Sequence, residues 1–542
     1  MGRSGRMTTM TVSEAILEQL RFSGVERIYG VVGDAIFGLL DAIAKQSSIR
    51  WISVKHESVA AFMASADAKC TGKLAVCAAQ MGPGLTNLLN GLGDAYMDGY
   101  PVLAITGQAP VRKIGTDYKQ LINQQELAQA LTGFSQLAVH PDAVIPALSA
   151  AITTSLTAGT VSHLSIPADL FTLQTLSKPC APIQVSMGQP DPAMLSQTLQ
   201  TMRSAKRPMI LAGQKAKPAS EEIKQLAMAW GSGVVSAYAA TGVIPDDFPL
   251  ALGGLGEGGN PYVTGRFKEA DVVLAIGTTW WPEGQTPTNA RVIRIAGHET
   301  ELRIGPPAET GMVGDVAAVV SQLAEALKSH PGDAEWRDQI QRCKQIWANQ
   351  NETEGRDTEV PLHPSNIVRM IEKHVSPDAI IALDEGDSTL WFMRNFRAQH
   401  QRTLFSERWR TMGFGLPAAM AAKLVDPQRQ VVCLTGDGGL GMVLADLLTA
   451  ARYELPITMI VCNNGTLQME RNKMAKKGLI REGTEVANPD YVKLADACGW
   501  KGYRIQSAAE LENLLHASKV STHPTLIDVP TSLAVYPDYP TT

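Results

Sequence analysis

Twelve short runs of the chain stay apolar from end to end instead of alternating with polar residues. The first third carries YGVVG (29–33), WISV (51–54), LAVCAA (74–79) and PVLAITG (101–107). The second carries MILAG (209–213), GVVSAY (233–238), DVVLAIG (271–277) and ARVIRIAG (290–297). The last carries AIIALDEG (379–386), VVCLTGDG (431–438), ITMIVCNN (457–464) and TLIDVP (525–530). A strand with one wet face reads apolar on alternate residues, so an uninterrupted run means that both faces are covered. Helix-length amphipathic segments separate the runs, and strands alternating with helices build parallel sheets flanked by helices. The predicted class is α/β, with three doubly wound domains of mainly parallel strands. Ligands of such sheets bind beyond the carboxyl ends of the strands, so the chemistry belongs there.

Two segments break the alternation. SKPCAPIQVSMGQPDPAM (177–194) holds four prolines, and NQNETEGRDTEVPLHPS (349–365) is polar and ends in two. Both compositions disfavour packed structure and set expected domains at 1–178, 190–346 and 360–542, each near the usual size. Of the 542 residues 45% are hydrophobic and 19% charged, enough apolar material for several cores. A net charge of -5 gives no basic footprint for nucleic acid or an anionic membrane. No apolar run reaches the length of a spanning helix, and MGRSGRMTTMTVSEAI lacks a signal core. The seven cysteines are scattered without a C-x-x-C pair, which argues against a disulfide framework or a zinc site. A cytoplasmic protein is expected.

The strand run at 431–435 leads into Gly436-Asp437-Gly438-Gly439, a helical run follows, and the next strand closes on Asn463-Asn464. One βαβ unit thus sets an Asp and an Asn at the ends of neighbouring strands. Glycines there let backbone N–H groups approach an anion, and a helix starting just after them points more N–H groups at it. Asp437 and the Asn464 amide are hard oxygen donors suited to Mg²⁺ on a diphosphate. Either turn alone is ordinary turn chemistry; the two at this spacing in one unit are not.

This spacing resembles the diphosphate motif of thiamine diphosphate (ThDP) enzymes, and the three-block layout resembles the pyruvate oxidase and acetolactate synthase group over nearly the whole chain. The resemblance implies pyrimidine-binding, middle and diphosphate-binding domains. It implies ThDP and Mg²⁺ as cofactors, with Asp437, Asn464 and the Thr466 carbonyl as metal ligands. In WISVKHESVAAFMASADAKCTG (51–72), Glu57 falls on the glutamate that hydrogen-bonds the aminopyrimidine, a role suited to a dry pocket. By itself, a Glu at a helix start is only a favourable charge at the positive helix end. YGVVGD (29–34) resembles the first strand-end loop, with Val32 toward the cofactor, and QMGPGLTN (80–87) the Gly-Pro-Gly segment, with Gly82 and Asn87. ITGQAPVRKIGTDYKQ (105–120) is very similar to acetolactate synthases and puts Lys119 and Gln120 on the substrate side. RWRTMGFGLPAA (408–419) puts Met412 where an apolar side chain props the cofactor, and the Arg410 carbonyl at its amino group. DEGDSTLW (384–391) offers Gly386, Asp387 and Ser388 to the diphosphate, joined by Gly436, Gly438, Gly439 and Leu467.

The implied reaction is C–C cleavage of a pyruvate-like 2-oxo acid, whose enamine is then oxidised or transferred. Alternatives are non-oxidative decarboxylation and acetyl transfer from an anionic substrate; the non-enzyme alternative is a silent cofactor-binding regulatory subunit. A dinucleotide dehydrogenase is disfavoured, because no G-x-G-x-x-G opens a βαβ unit with a later acidic residue. The resemblance also implies a homodimer or homotetramer whose active sites are shared between subunits. The departures are Lys119 for a substrate-facing Phe, Leu121 for a Glu, Arg410 for a Gly, Gln468 for a Gly and Lys473 for a Trp. A lysine there either recognises a second anionic group on the substrate or extends to solvent. FAD is left open. GLGEGG (254–259) and AIGTTWWPEG (275–284) resemble a flavin-binding middle domain, whereas Ala296 replaces an Asp and MILAGQKAKPA (209–219) lacks a second glycine. Those two changes lean toward a vestigial or weakly held flavin.

Overall fold

The computed structural model describes residues 10–181, 190–256, 258–330 and 332–537. The chain divides into two compact units, Met1–Val185 and Ser186–Thr542. The first unit contains β1 (Met10–Thr11), β2 (Arg27–Gly30), β3 (Arg50–Ser53), β4 (Ala75–Ala79), β5 (Val102–Gln108), β6 (Phe134–Leu137), β7 (Val161–Pro167) and β8 (Gln174–Thr175). Six of them form a parallel sheet in the order β3-β2-β4-β5-β7-β6, while β1 and β8 pair antiparallel.

The second unit holds two more six-stranded parallel sheets. One runs β11-β10-β9-β12-β13-β14, from β9 (Pro208–Ala212), β10 (Gly233–Ser236), β11 (Ala251–Gly254), β12 (Val272–Ile276), β13 (Arg291–Ala296) and β14 (Thr310–Val313). The other runs β16-β15-β17-β18-β20-β19, from β15 (Ile380–Leu383), β16 (Arg402–Leu404), β17 (Val431–Gly436), β18 (Ile457–Asn463), β19 (Lys501–Arg504) and β20 (Thr525–Pro530). The central strands β4, β5, β9, β12 and β15 are buried at every position, as their unbroken apolar runs require. Each sheet has a central strand-order reversal, between β2 and β4, β9 and β12, and β15 and β17, and the first and third sheets reverse again at their far edges, at β7-β6 and β20-β19. The central reversals open the crevices where doubly wound sheets take ligands.

Two helices of the first unit matter for the site. Glu57–Thr71 starts behind His56, whose ring accepts the Ser58 N–H, and ends at Gly72 in the left-handed conformation. Pro83–Asp98 packs against it so closely that a Cβ on Gly91 would lie 2.5 Å from both the Ala61 Cβ and the Phe62 nitrogen. Small residues at this crossing bring the two helix starts side by side.

Of the first break, residues 182–189 lie outside the described residues. The second break is more ordered than its composition suggests. Helix Ala334–Glu354 runs on through its first residues and ends on an ion pair of Glu354 with Arg394, at 2.7 Å and 5% side-chain exposure of the arginine. All seven cysteines are free thiols.

Candidate active site

Where β15 and β17 part, the second unit contains a cavity of about 300 Å³. It is lined by Gly386, Asp387, Ser388, Arg410, Met412, Gly436, Asp437, Gly438, Gly439, Asn464, Thr466 and Leu467, so every cofactor candidate from this third of the sequence meets in one place. Helix Asp387–Asn395 starts at this cavity behind Gly386 (φ 150°), and no side chain caps it. Uncapped N–H groups at a helix start suit an anion. Beside them the buried Asp387 Oδ1 and Ser388 Oγ have no hydrogen-bond partner among the described residues. The other Asp387 oxygen accepts from Trp391 Nε1 at 2.9 Å. Burial pushes the Asp387 carboxyl up to about 7. A Cβ on Gly438 would lie 2.5 Å from Leu467 Cδ2 and 3.2 Å from Met412 Cε, so two apolar side chains converge over a bare stretch of backbone.

Asp437 is buried and held from several sides. Its Oδ2 accepts the N–H groups of Asn464 (3.2 Å) and Gly465 (2.6 Å) and Asn488 Nδ2 (2.7 Å), and its Oδ1 accepts the Gly438 N–H at 2.9 Å. The Asn464 Oδ1 accepts the Thr466 N–H at 3.1 Å. Among the described residues no three His, Cys, Asp or Glu side chains cluster as a metal site would need. One carboxylate with amide and carbonyl oxygens is instead the hard, weakly charged set that Mg²⁺ accepts when phosphates supply the rest. The residues therefore fit a Mg²⁺-bound diphosphate.

Two residues of this site escape sequence reasoning. Asn488 also donates to Asn463 Oδ1 (3.0 Å) and accepts from Tyr491 OH (3.1 Å), but no motif marks it. Asp384, buried at the end of β15, accepts from the Gly413 (2.8 Å), Gly415 (3.1 Å) and Glu385 (2.9 Å) N–H groups and from Thr435 Oγ1 (3.3 Å). It pins the 410–415 turn to the sheet, while burial pushes its carboxyl up to about 6. Arg410 has a left-handed backbone (φ 49°), and its guanidinium lies over the rings of Tyr238 and Trp280 at 4.6 and 5.3 Å.

In the first unit, Asn87 Nδ2 donates to Glu57 Oε2 at 2.9 Å across the two close-packed helices. Glu57 is half-buried in that unit, short of a dry pocket. Gly82 opens its helix at φ 60°, and a Cβ there would lie 2.5 Å from the Gln120 carbonyl oxygen. Gln80 Nε2 donates to Gln120 Oε1 (2.9 Å) and to Asp34 Oδ1 (2.6 Å). The exposed Lys119 ammonium donates to Asp34 Oδ2 at 3.0 Å, and this bond holds the Asp34 carboxyl below its usual range. Gly82, Lys119 and Gln120 thus form one group around Gln80 and Asp34, with Glu57 and Asn87 as a second. Val32 is 54% exposed.

At the ends of β9 and β12 the two backbones stay paired, with the Gly213 N–H donating to the Ile276 carbonyl at 2.9 Å. A Cβ on Gly213 would collide with the Gly277 carbonyl oxygen. Lys215 is paired with Glu301 at 2.7 Å, and Glu301 also accepts the Gly297 N–H next to Ala296. Beyond the strand ends, Glu407 bonds Thr279 and the Ala239 N–H, and Trp280 stands edge-on to Tyr238.

Among the described residues no helix is long and apolar enough to cross a membrane. Three family models match, all described as thiamine pyrophosphate enzyme (thiamine pyrophosphate is ThDP). The N-terminal TPP binding domain matches residues 10–127, the central domain 195–323 and the C-terminal TPP binding domain 384–529. YdaP of Bacillus subtilis, whose name calls it thiamine pyrophosphate-containing, is 33% identical over 96% of this chain and 92% of its own. Pyruvate oxidase of Lactiplantibacillus plantarum is 30% identical, covering 96% of this chain and 89% of its own. The acetolactate synthase large subunit of Mycobacterium tuberculosis is also 30% identical, over 96% and 88%. The chain belongs to the thiamine pyrophosphate enzymes.

Proposed function

We propose that this protein is a ThDP- and Mg²⁺-dependent enzyme that removes carbon dioxide from a pyruvate-like 2-oxo acid and transfers the remaining fragment to a second substrate. The observation that carries the reading is the cavity between β15 and β17, with its bare glycine backbone, its uncapped helix start and its buried, unpartnered Ser388 hydroxyl. Bound ThDP would supply the nucleophile and the electron sink for loss of carbon dioxide. Asp437, Asn464 and the Thr466 carbonyl would hold Mg²⁺; Gly386, Ser388 and the 436–439 backbone would hold the diphosphate. Met412 and Leu467 would wedge the cofactor's middle. Glu57, oriented by Asn87, would hold a proton at the pyrimidine, and Gln120 with Lys119 would face the substrate.

The pyruvate oxidase and acetolactate synthase among the relatives divide between oxidation and transfer. Ala296 in place of an Asp and the missing second glycine in residues 209–219 lean toward a vestigial or weakly held flavin, and so toward transfer. The proposed domains are 1–178, 190–346 and 360–542, with helix Ala334–Glu354 running past the end of the second. The half-buried Glu57 supports an active site completed by a second subunit, in a homodimer or homotetramer.

The test is mass spectrometry of cofactors released after loading with ThDP, Mg²⁺ and FAD, followed by carbon dioxide release from pyruvate. ThDP without FAD is the expected result; bound FAD would point to an oxidase or a flavin-retaining synthase, and no bound ThDP would end the reading. Glu57→Gln is expected to keep ThDP and lose roughly 100-fold or more in turnover.

A further inference from the structure

We infer that Asp387 meets the cofactor as a neutral carboxylic acid and donates a hydrogen bond from Oδ1 to the diphosphate. The inference rests on the ThDP reading proposed above. Asp387 and Ser388 open helix Asp387–Asn395 and line the cofactor cavity, at 9% and 6% exposure. Asp387 Oδ2 accepts from Trp391 Nε1 at 2.9 Å, whereas Oδ1 and Ser388 Oγ have no hydrogen-bond partner among the described residues. An indole N–H can only donate, so Oδ2 is committed as an acceptor. A proton on this carboxyl therefore belongs on Oδ1, the oxygen left without a partner. The indole is itself buried, with the His363 and Tyr536 rings edge-on to it at 4.8 and 4.9 Å, so its N–H is held in place.

The charged form of Asp387 has little to hold it. The ionisable groups that line the cofactor cavity with it are Glu385, Arg410, Asp437, Cys462, Glu470 and Lys473. Asp387 also borders a second cavity, with Arg471, Lys473, Lys476, Arg481 and Tyr536. Among the described residues none of these hydrogen-bonds Asp387. The Arg410 guanidinium lies over the Tyr238 and Trp280 rings, and the Lys473 ammonium meets Glu470 at 3.0 Å. Burial is the larger influence and pushes the Asp387 carboxyl up to about 7, with the indole N–H pulling the other way.

A diphosphate at the same helix start adds like charge, which favours the neutral acid further. It also supplies the acceptor that Oδ1–H and the Ser388 hydroxyl otherwise lack. Buried polar atoms left unmade are costly, so both donors gain when the anion arrives. A carboxylic acid kept neutral by its surroundings can thus serve as a donor. Cofactor binding is then linked to a proton. Below about pH 7 the acid is already in place, and above it each binding event must first recover the proton from solvent.

The test is calorimetric titration of the full-length protein with ThDP in excess Mg²⁺, from pH 6 to pH 9. Wild-type affinity should hold to about pH 7 and then fall about tenfold per pH unit. At pH 8, paired buffers of different ionisation enthalpy should show uptake of about one proton per ThDP bound. Asp387→Asn keeps a donor and an acceptor but has nothing to titrate. It should match wild type at pH 6 and bind ThDP about 100-fold more tightly than wild type at pH 9. Trp391→Phe removes the indole's pull, and the fall in affinity should start at higher pH. Parallel curves for wild type and Asp387→Asn, no proton uptake by wild type at pH 8, or loss of ThDP by folded Asp387→Asn at pH 6 would each overturn the inference and leave the ThDP reading standing. Wild type that binds no ThDP at any pH would end that reading and this inference with it.

Discussion

At the end of β15 and just beyond it, two buried carboxyls have opposite surroundings. Among the described residues, Asp384 has four donors pointing at it, three of them backbone N–H groups, whereas Asp387 has the Trp391 indole alone. Asp384→Asn would turn an amide NH₂ toward a backbone donor, and it is expected to cost about 2 kcal/mol in urea denaturation. Asp387 behaves differently with pH. The unfolded chain loses this proton near 3.8, and the folded chain keeps it to about 7. The folded state therefore binds more protons across that window, and stability falls as pH rises from about 4 to about 7. Asp387→Asn removes this loss: the cofactor-free variant should be more stable than wild type at pH 8, by on the order of 3 kcal/mol, and little changed at pH 4. Asp437 and Asn464 were legible in the sequence because a βαβ unit brings them together within one short segment. Asp384 and Asn488 were not, because what identifies them is a set of partners tens of residues away. Asp384 bonds the Gly413 and Gly415 N–H groups, and Asn488 bonds the Asp437 carboxylate.

Among the elements, β7 shows where pattern reading fails. VSHLSIP interrupts its apolar residues with Ser162, His163 and Ser165, yet every position is buried. The polar side chains are satisfied inside. Thr106 and Ser135 bond the two His163 ring nitrogens at 2.8 and 2.9 Å, and Ser155 bonds Ser162 at 2.9 Å. A buried, partnered histidine reads as polar in sequence and behaves as core. β6, β11, β14, β16 and β19 were missed for another reason: they lie at sheet edges and are short, as in RTL and TGMV. Burial lowers the His163 imidazole to about 4. Below about 6.5 the unfolded chain takes up a proton that the folded chain refuses until about 4, so stability is lost as pH falls through that window. The loss is about 3 kcal/mol, and His163→Gln should flatten it in unfolding curves recorded at pH 7.5 and 4.5. The helix crossing at Gly91 gives a second check. Gly91→Ala forces apart the helices carrying Glu57 and Asn87, and should cost roughly 1–3 kcal/mol in thermal unfolding together with most of the activity.

For the whole molecule, the prediction concerns the sharing of sites between subunits. Glu57 and Asp437 lie in different units of the chain. If each active site takes Glu57 from one subunit and Asp437 from its neighbour, Glu57→Gln and Asp437→Ala chains are each inactive alone. Co-expressed, they should assemble mixed dimers in which one of two sites is intact, restoring about a quarter of the wild-type sites under random pairing. Activity titrated against bound ThDP would measure that fraction, and no recovery would place both residues of a site on one chain. The three parallel sheets were legible because buried parallel strands leave unbroken apolar runs.

The three sheets share a central strand-order reversal, and the one between β15 and β17 leads into the cavity lined by Gly386, Asp437 and Met412. Between β2 and β4 the Gln80 side chain reaches across to Asp34 and Gln120, and between β9 and β12 the backbones of Gly213 and Gly277 meet. The sheets' hydrogen bonds and helix packing are the same kind in all three, and none of them depends on what occupies the crevice. Occupancy and foldedness are therefore separate properties of this scaffold. A domain can be emptied or refitted through a few loop residues while its core stays as it was.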